Sequence, residues 1–198
     1  MPTLTIRAEF TADRWQTGTL KLVDETGKTI AGPFNALGKS SNDIAEEKNN
    51  KARNPLLPYG DTPTGTYLVT RIAKSGPQTK YPAYNYGPDH IIALDPQSGD
   101  ALTAKGNGRT GLLIHSGGAG AQGRLRATHG CIRLSNGDMA TLLSAIRAAS
   151  NNATAFRCEA VNIGVTVGEE IDDDAGPGMQ DPPLGIDALM APLPLPWP

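Results

Sequence analysis

Short alternations of apolar and polar residues, cut at close intervals by glycine and proline, constrain this chain more than any other feature. Leu4, Ile6, Ala8 and Phe10 alternate with polar neighbours, the two-residue period of a half-buried strand. Thr19 to Val23 and Thr29 to Phe34 are two more strand candidates, joined through the hairpin turn Asp24-Glu25-Thr26-Gly27. Thr66 to Ile72 and His90 to Leu94 continue the pattern, and Ala155 to Val167 supplies one or two closing strands. With 23 Gly, 16 Pro and 5% aromatic residues among 198, a turn-rich β protein is favoured over a helical bundle. One segment departs from this. Behind Ser135 and Asn136, either able to cap, Met139, Leu142, Leu143 and Ile146 recur at helical spacing, which predicts a packed helix over Gly137 to Ala149. The expected architecture is mainly β: a single-domain β-sandwich or open barrel over residues 1–168, with one packed helix. An acidic, Pro-rich, irregular tail, 169–198, follows it.

The connecting segments are less determined. Residues 35–53 are polar, either a solvated loop or a short helix capped by Ser41 or Asn42. Asn54 to Gly65 is dense in turns, with Pro55, Pro58 and Pro63 fixing φ and Gly60 and Gly65 permitting tight bends. Tyr59 and Asp61 in that bend are open to substrate contact or to structural roles. Tyr81, Tyr84 and Tyr86 either line a groove or cover a sheet edge, Asp95 to Asp100 is a turn, and His90 is structural.

Chemistry concentrates between Leu112 and Leu134. The apolar run Leu112 to Ile114 stops at His115-Ser116, a glycine-rich loop follows, and then comes Thr128-His129-Gly130-Cys131-Ile132-Arg133. Two of the three histidines and one of the two cysteines lie here. A thiol becomes nucleophilic as its anion, which a neighbouring imidazole produces and nearby positive charge stabilises. Gly130 leaves room for backbone amides to face an oxyanion, and in an extended segment His129, Cys131 and Arg133 share a face. Arg133 could then pair with a substrate carboxylate. Taken singly, Cys131 is equally a small buried hydrophobe, His115 a satisfied edge residue and Arg133 a surface cation. Their joint occurrence favours catalysis. A zinc site made by His115, His129 and Cys131 lacks the second closely spaced ligand pair that structural sites use, so no metal and no cofactor is expected.

His115-Ser116, the glycine loop and Thr128-His129-Gly130-Cys131-Ile132-Arg133-Leu134 resemble the signature of the L,D-transpeptidase catalytic domain, the YkuD-like family. Upstream, Gly60-Asp61-Thr62-Pro63-Thr64-Gly65-Thr66-Tyr67 resembles the Thr-Pro-x-Gly-x-aromatic element of the same family, and the likeness spans roughly Leu4 to Val167. The resemblance implies Cys131 as nucleophile and His115 as base, its imidazole oriented by the Ser116 carbonyl. It implies an oxyanion hole at the Gly130 and Cys131 amides, with His129 in support. It implies that Arg133 would hold the donor stem; Tyr59 and Thr128 are further candidate substrate contacts. The implied reaction is attack on the L-centre of diaminopimelate in a peptidoglycan tetrapeptide, release of D-Ala, and transfer to an amine, a D-amino acid or water. Thr128 stands where the family more often has Ser, keeping the hydroxyl.

A formal net charge of −2 points to no nucleic-acid partner, and no apolar run approaches membrane-spanning length. No signal peptide is visible at the start, so action in the periplasm or cell wall implies either a leader already removed or an export route that the sequence does not reveal. Three alternatives follow: L,D-carboxypeptidase or exchange activity, delivery as an antibacterial cell-wall effector by a secretion machine, or a non-catalytic cell-wall binding module. From Glu169 the acidic run and the closing Pro-Leu repeats suit a disordered tail, or a segment that docks on a partner protein or on its own cleft.

Overall fold

The computed structural model describes residues 3–12, 14–150 and 155–163. Eight strands form one sheet: β1 (Thr3–Phe10), β2 (Gly18–Val23), β3 (Thr29–Ala36), β4 (Gly65–Lys74), β5 (His90–Pro96), β6 (Leu113–His115), β7 (Ile132–Arg133) and β8 (Ala155–Asn162). Their order is β3-β2-β1-β8-β4-β5-β6-β7. β1–β8 and β6–β7 pair in parallel, the other neighbours antiparallel. Just past β3, Leu37 exchanges two backbone hydrogen bonds with Arg133 of β7, at 2.9 and 2.8 Å. The two ends of the strand order therefore meet, and the sheet curls into a nearly closed barrel. Such closure satisfies backbone groups that open sheet edges would leave unpaired.

The alternation in β1 works as the sequence suggests. Leu4, Ile6, Ala8 and Phe10 are all buried, in a core that also holds Leu20, Leu22, Phe34, Ile114 and Ile132. The Asp24–Gly27 turn closes with a Gly27 N–H to Asp24 carbonyl bond of 3.0 Å. The helix α4 (Asn136–Ser150) buries Met139, Leu142, Leu143 and Ile146 in the same core, each worth about 1.5–3 kcal/mol when fully buried. Ser135 caps it, its hydroxyl accepting the Asp138 N–H at 3.0 Å. Asn136 turns outward from that role and accepts the Gly117 N–H at 3.0 Å, so the capping segment also steers the loop after His115.

Three further α-helices lie among the described residues. α1 (Asn42–Glu47) is the short-helix option for the polar stretch, and α2 (Ala83–Tyr86) winds the tyrosine segment into a single turn. α3 (Gly99–Gly106) follows the Asp95–Asp100 turn, where no helix was expected. Its inward residues are Ala101 and Ala104, too small to raise a visible apolar period. It packs tightly on β4, since a Cβ at Gly65 would lie 2.1 Å from the Ser98 carbonyl oxygen. The acidic tail at 169–198, the domain limit at 168 and the closing segment beyond 163 fall outside the described residues. No helix among the described residues is long and apolar enough to cross a membrane.

Leu142 and Ser144 sit on opposite faces of α4, one fully buried and one exposed. Leu142→Ala is expected to lower the free energy of unfolding by about 2–5 kcal/mol, and Ser144→Ala by less than about 0.5 kcal/mol. Urea denaturation followed by circular dichroism measures both. Equal responses would contradict the packing of α4 on the sheet.

Candidate active site

Two short strands place the imidazole and the residue that follows Cys131. β6 and β7 pair in parallel, with Ile114 opposite Ile132 and His115 opposite Arg133. Ile114 and Ile132 point into the main core, so the flanking positions project from the other face. Leu113, His115, Cys131 and Arg133 are those positions. Leu113 and Cys131 accordingly pack into the second apolar cluster, with Tyr81, Tyr86 and Ile91. Strand spacing of about 4.8 Å and a rise of about 3.3 Å per residue put His115 and Cys131 on diagonal positions of one face. The sulfur is partly exposed and lies 3.8 Å from the Gly111 carbonyl oxygen, a weak thiol hydrogen bond.

His115 is 3% exposed. Its Nδ1 lies 2.7 Å from the Ser116 carbonyl oxygen. A carbonyl only accepts, so Nδ1 carries the proton of the neutral ring and Nε2 keeps its lone pair. Burial pushes the imidazole pKa down to about 3, and the Arg133 guanidinium pushes the same way. The Ser116 and Asn85 carbonyls oppose this without prevailing. The Tyr86 ring covers the imidazole, 5.0 Å between centroids and tilted by 53°. His115 is thus a buried, neutral imidazole of fixed orientation.

The turn before Cys131 departs from the extended geometry expected of it. Gly130 has φ +98°, where a Cβ would lie 2.0 Å from both the Arg109 guanidinium and the Gly60 carbonyl oxygen. The chain bends at Gly130, so His129 and Cys131 are not strand neighbours on a common face. His129 instead meets the Tyr59 ring edge-on, at 5.6 Å between centroids. Thr128, expected to touch substrate, is buried and serves the turn: its hydroxyl accepts the Gly130 N–H and donates to the Cys131 carbonyl, each at 3.0 Å. The Gly130 amide, expected in an oxyanion hole, is therefore spent on Thr128 in this arrangement.

Arg133 lies 5% exposed beside His115 and donates to the Gly118 carbonyl at 2.9 Å, which anchors the glycine loop. Asp61 is buried and structural, accepting the Ser40 N–H at 2.7 Å and Arg53 Nε at 3.2 Å. Tyr59 adopts φ +60° at the tip of the Pro/Gly bend, with its carbonyl accepting the Ser40 hydroxyl. Of the three tyrosines, Tyr81 and Tyr86 are buried edge-to-face beside the site, while Tyr84 is exposed and stacks under Arg126. Among the described residues no group of three or more His, Cys, Asp or Glu side chains gathers as metal ligands would.

One residue of the site escaped the sequence reading. Arg109, in the loop between α3 and β6, is 3% exposed, and its guanidinium donates to the carbonyls of Pro55, Leu57, Gly60, Asp61 and Gly130. Thr62 donates a second bond to the Gly130 carbonyl, at 2.9 Å. The available signal was small: a single arginine in Gly108-Arg109-Thr110-Gly111, directly ahead of the apolar run that ends at His115.

The depressed His115 pKa makes a pH prediction. Between pH 6.5 and about 3 the unfolded chain holds a proton on this ring that the folded chain lacks. Stability due to this residue is therefore complete above pH 6.5 and falls as pH drops toward 3, by up to about 1.4 kcal/mol per unit. His115→Gln removes that titration. The stability difference between wild type and variant should shift against the wild type as pH falls through this window, measured by urea unfolding. A difference constant with pH would contradict a neutral, buried His115.

No curated protein matches the chain. Residues 18–168 match the family model of the YkuD L,D-transpeptidase catalytic domain, and that span includes both His115 and Cys131. The chain belongs to the L,D-transpeptidase catalytic domain family, whose members act on cell-wall peptidoglycan.

Proposed function

We propose that the chain is a cysteine-dependent peptidoglycan L,D-transpeptidase that acts on tetrapeptide stems through an acyl-enzyme on Cys131. One observation supports this above all. His115 on β6 pairs opposite Arg133 of β7, the strand that Cys131 leads into, and the Nδ1 proton of the neutral imidazole is committed to the Ser116 carbonyl. Such a ring is an acceptor for a thiol proton at Nε2.

The reaction divides into two halves. His115 Nε2 takes the Cys131 proton, and the thiolate sulfur bonds to the carbonyl carbon of the L-centre of diaminopimelate. The carbonyl oxygen becomes an oxyanion facing the Cys131 amide, since the Gly130 amide is held by Thr128. Collapse breaks the bond to the terminal D-Ala, whose amine departs with the proton from His115, and a thioester remains. In the second half an amine, a D-amino acid or water attacks the thioester. His115 removes the attacking group's proton and returns it to the departing sulfur. Crosslinking, exchange and carboxypeptidase activity thus differ only in the acceptor, and the site acts where peptidoglycan lies, in the periplasm or wall.

Arg133 supplies positive charge where the donor stem's carboxylate enters, with part of its guanidinium anchoring Gly118. Its field also keeps His115 neutral until the sulfur is charged. Tyr59 and His129, edge to edge, form the wall on the side of the Pro/Gly bend.

Incubation with tetrapeptide muropeptides, followed by mass spectrometry, should show D-Ala release with crosslinked, exchanged or hydrolysed product. Cys131→Ala is expected to lower product formation by at least about 10³-fold. Cys158→Ala should retain turnover, because Cys158 is fully buried in the main core, where desolvation raises its thiol pKa and keeps it inert. Absence of any product from wild type with a free thiol, or loss confined to the Cys158 variant, would refute the reading.

A further inference from the structure

We propose that Arg109 is the residue that positions and electrostatically activates Cys131, by clamping the turn that carries the sulfur and lending it a buried positive charge. The inference rests on the reading of Cys131 as nucleophile.

The geometry has two parts. The first is mechanical. One guanidinium nitrogen, Nη1, donates to the carbonyls of Pro55 (2.7 Å), Leu57 (3.3 Å) and Asp61 (2.7 Å). The other, Nη2, donates to Gly60 (2.6 Å) and Gly130 (3.3 Å). Four of these partners lie in the Pro/Gly bend and the fifth is the residue before Cys131. A planar fork spanning both segments welds the bend to the turn, a task that a lysine's single ammonium cannot reproduce. Gly130 completes the fit, because the guanidinium occupies the space a Cβ would need.

The second part is charge. Arg109 is almost wholly removed from water, and among the described residues no carboxylate lies within ion-pair distance of it. Carbonyl dipoles satisfy its hydrogens but cannot cancel a full positive charge. Burial accordingly lowers its pKa, and the strongest opposing influence is a negative Cys131, ahead of Tyr67 and Asp61. The attraction is mutual: a cation favoured by the thiolate favours the thiolate. Other titratable groups around the sulfur are His115 and Arg133 on β6 and β7, His129 in the turn, and Tyr81 and Tyr86 in the apolar cluster it joins. Arg109 differs from Arg133 in binding the turn itself, through the Gly130 carbonyl, whereas Arg133 binds the glycine loop at Gly118.

Thiol reactivity tests this apart from turnover. The rate of iodoacetamide alkylation of Cys131 is measured against pH, with the modified peptide quantified by mass spectrometry. In wild type the apparent pKa of Cys131 should fall below the ordinary cysteine value of about 8.5. Arg109→Gln should raise it by about one unit or more, a tenfold loss of rate near neutral pH. Arg109→Lys, which keeps the charge, should raise it less while still loosening the turn. Thr62→Val, which removes the other donor to the Gly130 carbonyl and no charge, should leave the pKa in place. An unchanged profile in Arg109→Gln, or an equal shift in Thr62→Val, overturns the proposal. Should the Arg109 variants not fold, a wild-type Cys131 that titrates at or above 8.5 overturns it alone. Wild type that alkylates as expected but yields no muropeptide product would instead count against the transpeptidase reading.

Discussion

Everything in the site depends on the parallel pairing of β6 with β7. Two isoleucines, Ile114 and Ile132, lock that pairing into the main core. Their burial fixes which way the intervening residues face. A slip of one residue would turn Cys131 into the core and expose an isoleucine, at a cost of several kcal/mol in lost burial alone. The register of these two strands is therefore held by hydrophobic packing. The barrel's closure through Leu37 and Arg133 adds a second constraint on the same strand, because β7 is itself only two residues long.

Around that register the protein arranges charge asymmetrically. Arg133 stands beside His115 and, with burial, holds the ring neutral. Arg109 donates to five backbone carbonyls, one of them that of Gly130, next to Cys131. In the proposed reaction one cation would disfavour a proton on the imidazole and the other would favour its loss from the thiol. A charged sulfur would then oppose the field of Arg133 at the ring, leaving the imidazole able to hold the proton that the proposed step passes to the leaving amine. A dry site makes each of these fields stronger than it would be in water.

How much of this was legible beforehand follows from how local each feature is. Strand alternation and the apolar period of α4 are local, so both were readable, as was the segment from His115 to Arg133. The bend at Gly130 was not, because φ +98° there answers to Arg109 and Gly60, which approach from elsewhere in the chain. The consequence was the misplaced common face for His129 and Cys131, and the reassignment of Thr128 from substrate to turn. Arg109 was invisible for the same reason: its partners lie about fifty residues upstream or about twenty downstream, and all of them are backbone carbonyls that any sequence possesses. α3 hid behind two alanines.

The central claim is that Cys131 carries the acyl group and that His115 makes it able to do so. Intact-mass analysis of the protein, acid-quenched during reaction with a tetrapeptide muropeptide, tests this most directly. The account predicts an adduct equal to the donor stem less its D-Ala, mapped by peptide digestion to Cys131 and missing from His115→Ala. An adduct on another residue, or one that forms as quickly without His115, would contradict it.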